Sequence, residues 1–243
     1  MPKLFSTNAG RVILITRQVQ VLTPDLVSTG YSFPFPHGNV AGMSPDGTTL
    51  ALWTGPGKTT LVDAHSFKPG VTLDMAAPLS VSSSAALDTN TIWKGNYPSL
   101  TVFVTRTDVT GSKLIFHDGC TSGAYYLSPD RILANGCEAV KTLRVIDDEG
   151  KIVVSRDNAE GAYTFAGVSE AGTRFAMQAY DELGDPSSLI FERFFIYDAR
   201  TATPLASVRV DDLPERQSWT AFSPDGRFFA VGNPNRVSLY EVP

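Results

Sequence analysis

The fold class the sequence predicts is all-β: short antiparallel strands in about six repeated units. Three observations predict it. First, an alternating apolar run closing on a small polar or acidic residue recurs along the chain. It reads "VQVLT" ending at Thr23, "TTLVD" at Asp63, "TVFVT" at Thr105, "LRVID" at Asp147, "FFIYD" at Asp198 and "VSLYE" at Glu241, at offsets of 40, 42, 42, 51 and 43 residues. Second, a turn signal lies upstream of most of these runs: "FSTNAG" at Phe5–Gly10, "MSPDG" at Met43–Gly47, "LSPD" at Leu127–Asp130, "VSEAG" at Val168–Gly172 and "FSPDG" at Phe222–Gly226. The third unit keeps only a degraded form, "SVSSSAAL", Ser80–Leu87. Third, a polar turn and another alternating run follow, as in Lys113-Leu114-Ile115-Phe116 and Lys151-Ile152-Val153-Val154. A period of this length with several short strands in each unit marks a propeller blade.

Each element has a local cause. In Ser-Pro-Asp-Gly the proline presets φ for the first corner of a tight turn, the aspartate accepts from its own backbone two residues on, and the glycine supplies positive φ at the exit. This turn joins the innermost strand of a blade to the second. The acid-terminated run closes the third strand, with alternate apolar residues facing neighbouring blades. One blade cannot bury both faces alone, whereas blades stacked around an axis bury them and leave only short edges. The units span 4–37, 40–76, 78–119, 120–158, 162–212 and 217–243 as one β-propeller domain of about six four-stranded antiparallel blades. Unit six ends at Pro243 directly after its third run, and only Met1 to Lys3 precede the first run. Ring closure is therefore expected to be incomplete, or the chain is truncated and belongs to a longer parent with another blade or a signal peptide upstream. The unpaired edge an incomplete ring would expose favours the second.

"FSPDGRFFAVGNPNRVSLYEV" (Phe222–Val242) and "MSPDGTTLALWTGPGKTTLVDA" (Met43–Ala64) resemble blades of bacterial WD-repeat-like β-propellers, and the likeness extends over nearly the whole chain. The strict signature is absent. Val62, Ile146, Tyr197 and Tyr240 stand where the Trp of the Trp-Asp pair is expected, and His37, His65 and His117 do not recur at the Gly-His position. The resemblance implies a fold and carries over no catalytic residue.

Composition and charge exclude several classes. The 243 residues are 42% hydrophobic and 19% charged, ample for a sizeable core. No apolar run reaches membrane-spanning length. A formal charge of −5 without a basic stripe lacks the footprint of a nucleic-acid binder. "TGPGKTTLVDA" (54–64) imitates the end of a phosphate-binding loop, but Leu52 occupies the place of its first glycine and Pro69-Gly70 would break the helix it must open. The local reading is a β-turn with Lys58 at a hairpin tip, so no nucleotide and no other cofactor is expected.

Cys120 and Cys137 flank the first hairpin of unit four, which reverses near Pro129-Asp130. Antiparallel partners then sum to about 259, which sets Ser122 opposite Cys137 with Cys120 diagonal on the same face. A small bulge would bring the pair to disulfide distance. A bridge there is the leading expectation, with two reduced core thiols the alternative. Bridged, the chain belongs in an extracytoplasmic (periplasmic or secreted) compartment; otherwise it is cytoplasmic.

Other sites are weaker. Unit five carries extra residues near "YDELGDPSS" (180–188), where Asp181, Glu182 and Asp185 are candidate ligands for a hard cation, against a plain solvated hairpin tip. The scattered histidines show no ligand spacing, and no serine-hydrolase elbow is present. Two function classes remain. One is a non-catalytic propeller binding a protein or peptide; the other is a propeller enzyme, a metal-dependent hydrolase or lyase with an axial site. Two positions before the turn signals, Lys3, Ala41, Tyr125, Ala166 and Thr220 should line the axis. None is His, Asp, Glu or Asn, which disfavours the enzyme.

Overall fold

A computed structural model describes all residues except 1–2, 8–9, 16–17, 35–40, 76–77, 79, 94–99, 119–120, 137–141, 162–163, 182–190, 211–218 and 234–235. The described residues form 23 strands and no helix, arranged as a six-bladed β-propeller.

Blade 1 is β1 (Lys3–Ser6), β2 (Val12–Ile15), β3 (Gln18–Leu22) and β4 (Ser28–Pro34). Blade 2 is β5 (Ala41–Met43), β6 (Thr49–Gly55), β7 (Lys58–Asp63) and β8 (Pro69–Leu73). Blade 3 is β9 (Ser80–Val81), β10 (Ala86–Trp93), β11 (Leu100–Asp108) and β12 (Gly111–Asp118). Blade 4 is β13 (Thr121–Ser128), β14 (Arg131–Gly136), β15 (Thr142–Asp147) and β16 (Ile152–Asp157). Blade 5 is β17 (Thr164–Val168), β18 (Arg174–Asp181), β19 (Phe191–Asp198) and β20 (Pro204–Val210). Blade 6 is β21 (Trp219–Phe222), β22 (Phe228–Asn233) and β23 (Arg236–Glu241). Every sheet is an antiparallel meander in chain order; the last has three described strands where the others have four.

The core lies between blades. Alternate residues of a strand face opposite ways, and both faces of an inner blade are apolar. Five buried clusters join successive pairs. Ile13, Val19, Leu50 and Val62 join blades 1 and 2, and Leu61, Leu73, Val81 and Ala86 join blades 2 and 3. Val104, Ile115, Tyr126 and Ile132 join blades 3 and 4. Leu133, Val145, Phe175 and Tyr197 join blades 4 and 5, and Phe194, Ile196, Phe229 and Val231 join blades 5 and 6. The Phe175 and Tyr197 rings stack at 4.9 Å.

Two sequence expectations shift in register. The third unit's third strand runs through Thr105 and closes at Asp108, which pairs with Gly111 across the turn. The "TVFVT" likeness set it three residues early: Thr105 imitates the polar residue that closes the other runs, while β11 continues in regular pairing with β10 through Thr107 and the bulge in this blade falls on β12, at Ile115. In unit four the partners do sum to 259 at Ser128 and Arg131, but bulges reduce the sum to 257 at Thr121 opposite Gly136. Cys120 and Cys137 lie outside the described residues; each is the chain neighbour of one member of that last pair.

Candidate functional site: the braced turn face

An antiparallel meander alternates the ends at which it turns. The turn joining first to second strand and the turn joining third to fourth therefore share one end of each blade. Neighbouring blades bring these ends together. Ala171 N donates to Pro224 O at 3.0 Å between blades 5 and 6, and Ala199 N donates to Thr173 O at 3.0 Å within blade 5. Where blades 5 and 6 meet, this end of the ring is thus a continuous surface of tight turns.

Each turn is held by side chains supplied by the repeat. Asp46 Oδ1 accepts from Thr48 N at 3.1 Å, and Asp225 Oδ1 from Arg227 N at 3.1 Å, as the Ser-Pro-Asp-Gly chemistry predicts. The serine contributes a second brace that sequence reasoning passed over. The hydroxyl oxygens of Ser44, Ser169 and Ser223 accept from Thr49 N (2.9 Å), Arg174 N (3.1 Å) and Phe228 N (2.9 Å). The recurrence of Ser three residues before the turn glycine, at Ser44, Ser169 and Ser223, is this acceptor, and each also accepts a turn bond at its carbonyl.

The acids that close the third strands do the same for the other turn. Asp63 Oδ1 accepts from His65 N (3.1 Å), Ser66 N (2.6 Å) and Ser66 Oγ (2.7 Å). Asp108 Oδ1 accepts from Thr110 N (2.7 Å), and Asp147 Oδ1 from Glu149 N (3.1 Å) and Lys151 N (2.8 Å). Asp198 Oδ1 accepts from Arg200 N (3.0 Å), Thr201 N (2.9 Å) and Thr201 Oγ1 (2.9 Å). In blade 4 the turn also demands its glycine: Gly150 has φ +90°, and a Cβ there would collide with Ile115 O of blade 3.

These donors favour the ionised acids. The backbone N–H and hydroxyl of Ser66 hold Asp63 below the ordinary carboxylate value, and the hydroxyl and N–H of Thr110 do so for Asp108. For Asp225 the leading cause is the Ser223 hydroxyl. At Asp198 burial pushes the value up, but bonds from Thr201 and Arg200 and the charge of Arg174, 3.5 Å away, outweigh it. Acids depressed by folding stabilise the protein above their unfolded pKa, about 4, and that contribution is lost as pH falls through the folded value. Denaturant titrations between about pH 7 and about pH 3 should show stability falling on acidification, and Asp198→Asn should flatten the fall. An unchanged pH profile in that variant would remove Asp198 from the account.

Ion pairs staple adjacent blades. Arg106 lies 3.7 Å from Asp148, Arg144 donates to Asp118, and Arg156 Nη1 donates to Ala202 O at 3.0 Å while its Nη2 binds Glu160 at 2.9 Å. Burial pushes the nearby Tyr197 phenol up, with the Glu160 charge adding to it.

The expected axial residues all fall on first strands: Lys3 on β1, Ala41 on β5, Tyr125 on β13, Ala166 on β17 and Thr220 on β21. Tyr125 stacks on Phe165 of the next blade at 4.3 Å, and Thr220 Oγ1 donates to Ala166 O. Among the described residues no group of three or more His, Cys, Asp or Glu is placed to hold a metal. Glu182 and Asp185 lie outside the described residues, and so does the side chain of Asp181, which ends β18. Lys58 opens β7 beyond a turn with Gly57 at φ +67°, and its amine pairs with Asp74. A strand follows it where a phosphate-binding loop requires a helix. A groove of about 500 Å³ runs beside blade 2, lined by Asp63, Lys68 and Ser83 among others, with Asp63 already engaged in its own turn. No helix among the described residues is long and apolar enough to cross a membrane.

No protein-family model and no curated protein matches the chain. Solved structures do. The β-propeller domain of Cps50 (Swd1) from Myceliophteria thermophila matches with a TM-score of 0.58 at 16% identity, over 98% of this chain and 82% of that one. The C-terminal WD40 domain of Sif2 matches with a TM-score of 0.50 at 10% identity, over 99% and 81%. The fold is that of the WD40 β-propellers. A chain from a crystal structure of the mitotic checkpoint complex has a TM-score of 0.51 at 15% identity, over 98% and 88%.

Proposed function

We propose that this propeller is a non-catalytic protein- or peptide-interaction module whose binding surface is the braced turn face. The observation that carries the reading is the bracing itself. Side-chain acceptors at Asp46, Asp63, Asp147, Asp198 and Asp225 hold the turns rigid, so their exposed residues are presented with little ordering cost on binding. Loops fixed by a rigid scaffold make broad contact surfaces. One similar solved chain comes from a crystal of a multi-protein complex, which supports the same reading.

Asp130, Asp148 and Glu149 are exposed on this face. Asp130→Lys with Glu149→Lys should leave the circular dichroism spectrum unchanged and abolish recovery of the partner that the wild-type chain retains from cell extract. The control, Arg209→Glu on the exposed edge strand β20, should retain it. Equal retention by all three proteins would move the binding surface off the turn face.

A further inference from the structure

Among blades 4, 5 and 6, the first turn of one blade rests on the first turn of the blade before it. A Cβ placed on Gly226 of blade 6 would lie 3.0 to 3.3 Å from Arg174, Thr173 and Ser169 of blade 5, and the nearby Pro224 carbonyl takes the Ala171 N–H. A Cβ placed on Gly172 of blade 5 would lie 2.9 Å from the Leu127 carbonyl oxygen of blade 4 and 3.2 Å from Ser128. In both turns four residues separate the bracing serine from the residue whose N–H it accepts, Ser223 from Phe228 and Ser169 from Arg174. Those four residues carry the tip across the junction.

Blade 3 lacks such a tip. Its serine, Ser82, accepts from Ala85 N at 3.2 Å, so Ser83 and Ser84 alone lie between, two residues fewer. The degraded signal "SVSSSAAL" is this shortening. The seat for the missing tip is nevertheless present on blade 2. Thr48 and Thr49 stand where blade 5 has Thr173 and Arg174, four and five residues after the bracing serine, and the bond of Ser66 to Asp63 repeats that of Thr201 to Asp198. These blade 2 residues line the groove of about 500 Å³, together with Lys68 and with Ser83 of blade 3. Blade 4 also has a short first turn, with Ser128 paired to Arg131. At that junction, however, Arg106 holds the place that Leu61 has in blade 2, two residues before the closing acid, and reaches Asp148 of blade 4.

We propose that the groove between blades 2 and 3 is a docking site for an acidic tight turn, of the Pro-Asp-Gly kind, on a partner protein. The proposal rests on the reading of the turn face as the binding surface and names what one sector of that face takes. Shape and charge both select this occupant. The equivalent seat on blade 5 already receives a Pro-Asp-Gly turn from blade 6. Two charged side chains line the groove among the described residues. Asp63 is engaged with its own turn, whereas the Lys68 ammonium is exposed and makes no ion pair there. A turn preset by its proline and aspartate also loses little freedom on docking.

The probe is a fluorescein-labelled peptide with the sequence of residues 222–228, closed head to tail so that it keeps the blade 6 turn. Its anisotropy titration against the full chain should saturate. Lys68→Glu should weaken binding by at least about tenfold. Asp225→Asn in the probe should weaken it against the unaltered chain and add little against Lys68→Glu, the coupling expected of a direct pair. Inserting Pro-Asp between Ser83 and Ser84 gives blade 3 a tip of ordinary length, which should fill the groove and abolish binding while the circular dichroism spectrum stays the same. Asp130→Lys with Glu149→Lys, on blade 4, should bind the probe normally, so partner recovery by the turn face and probe binding by the groove are read separately. Absence of saturable binding, or binding indifferent either to Lys68→Glu or to the insertion, would overturn the proposal.

Discussion

Phe175→Ala should destabilise the propeller by about 3 to 5 kcal/mol in urea denaturation, the largest loss expected from a single core truncation here. Phe175 is fully buried between blades 4 and 5, stacked on Tyr197 and packed among Leu133, Leu143 and Val145. Truncation removes its transfer free energy and leaves a cavity that two stiff sheets cannot collapse. A blade interface is a long-range contact, so the loss should appear as a lower transition midpoint for the whole ring, not as local fraying. Val109, 69% exposed in a turn, is the comparison: Val109→Ala should stay within about 0.5 kcal/mol. Similar losses in both variants would mean that the blade 4–5 cluster is not the seat of stability.

Reducing a Cys120–Cys137 bridge should cost about 3 kcal/mol, since it closes a loop of 17 residue steps in the unfolded chain. Among the described residues, the nearest chain neighbours of the two cysteines, Thr121 and Gly136, are directly opposed on adjacent strands. Mass analysis under non-reducing conditions should find no free thiol in protein from an oxidising compartment, and Cys137→Ser should match the reduced protein in stability. With the bridge, the proposed home of the chain is extracytoplasmic; two free thiols and no change on reduction would favour a cytoplasmic interaction propeller.

The turns were legible because their chemistry is local. Proline, aspartate and glycine act on backbone groups within a few residues, so "SPDG" could be read residue by residue, and Asp46 and Asp225 make bonds of the expected kind, whereas the turn bonds of Asp63 and Asp198 were not foreseen. The six-fold recurrence followed from the same local signals, and with it the six-bladed propeller. The serine acceptors were hidden, since a hydroxyl in a turn reads equally well as a solvated side chain. The end of β11 was misplaced because Thr105 imitates the polar residue that closes the other runs, with the closing Asp108 three residues further on.

By itself the sequence determined the strand inventory, the turn chemistry and the radial architecture, all of which depend on spacing along the chain. Only the tertiary structure decided which apolar faces are covered. Ile196 and Leu239 hold the same place in their runs, two residues before the closing acid, yet Ile196 is 0% exposed and Leu239 66%. The difference lies in whether a neighbouring blade is present. Burial is a property of two surfaces meeting, and the repeat pattern specifies one of them at a time.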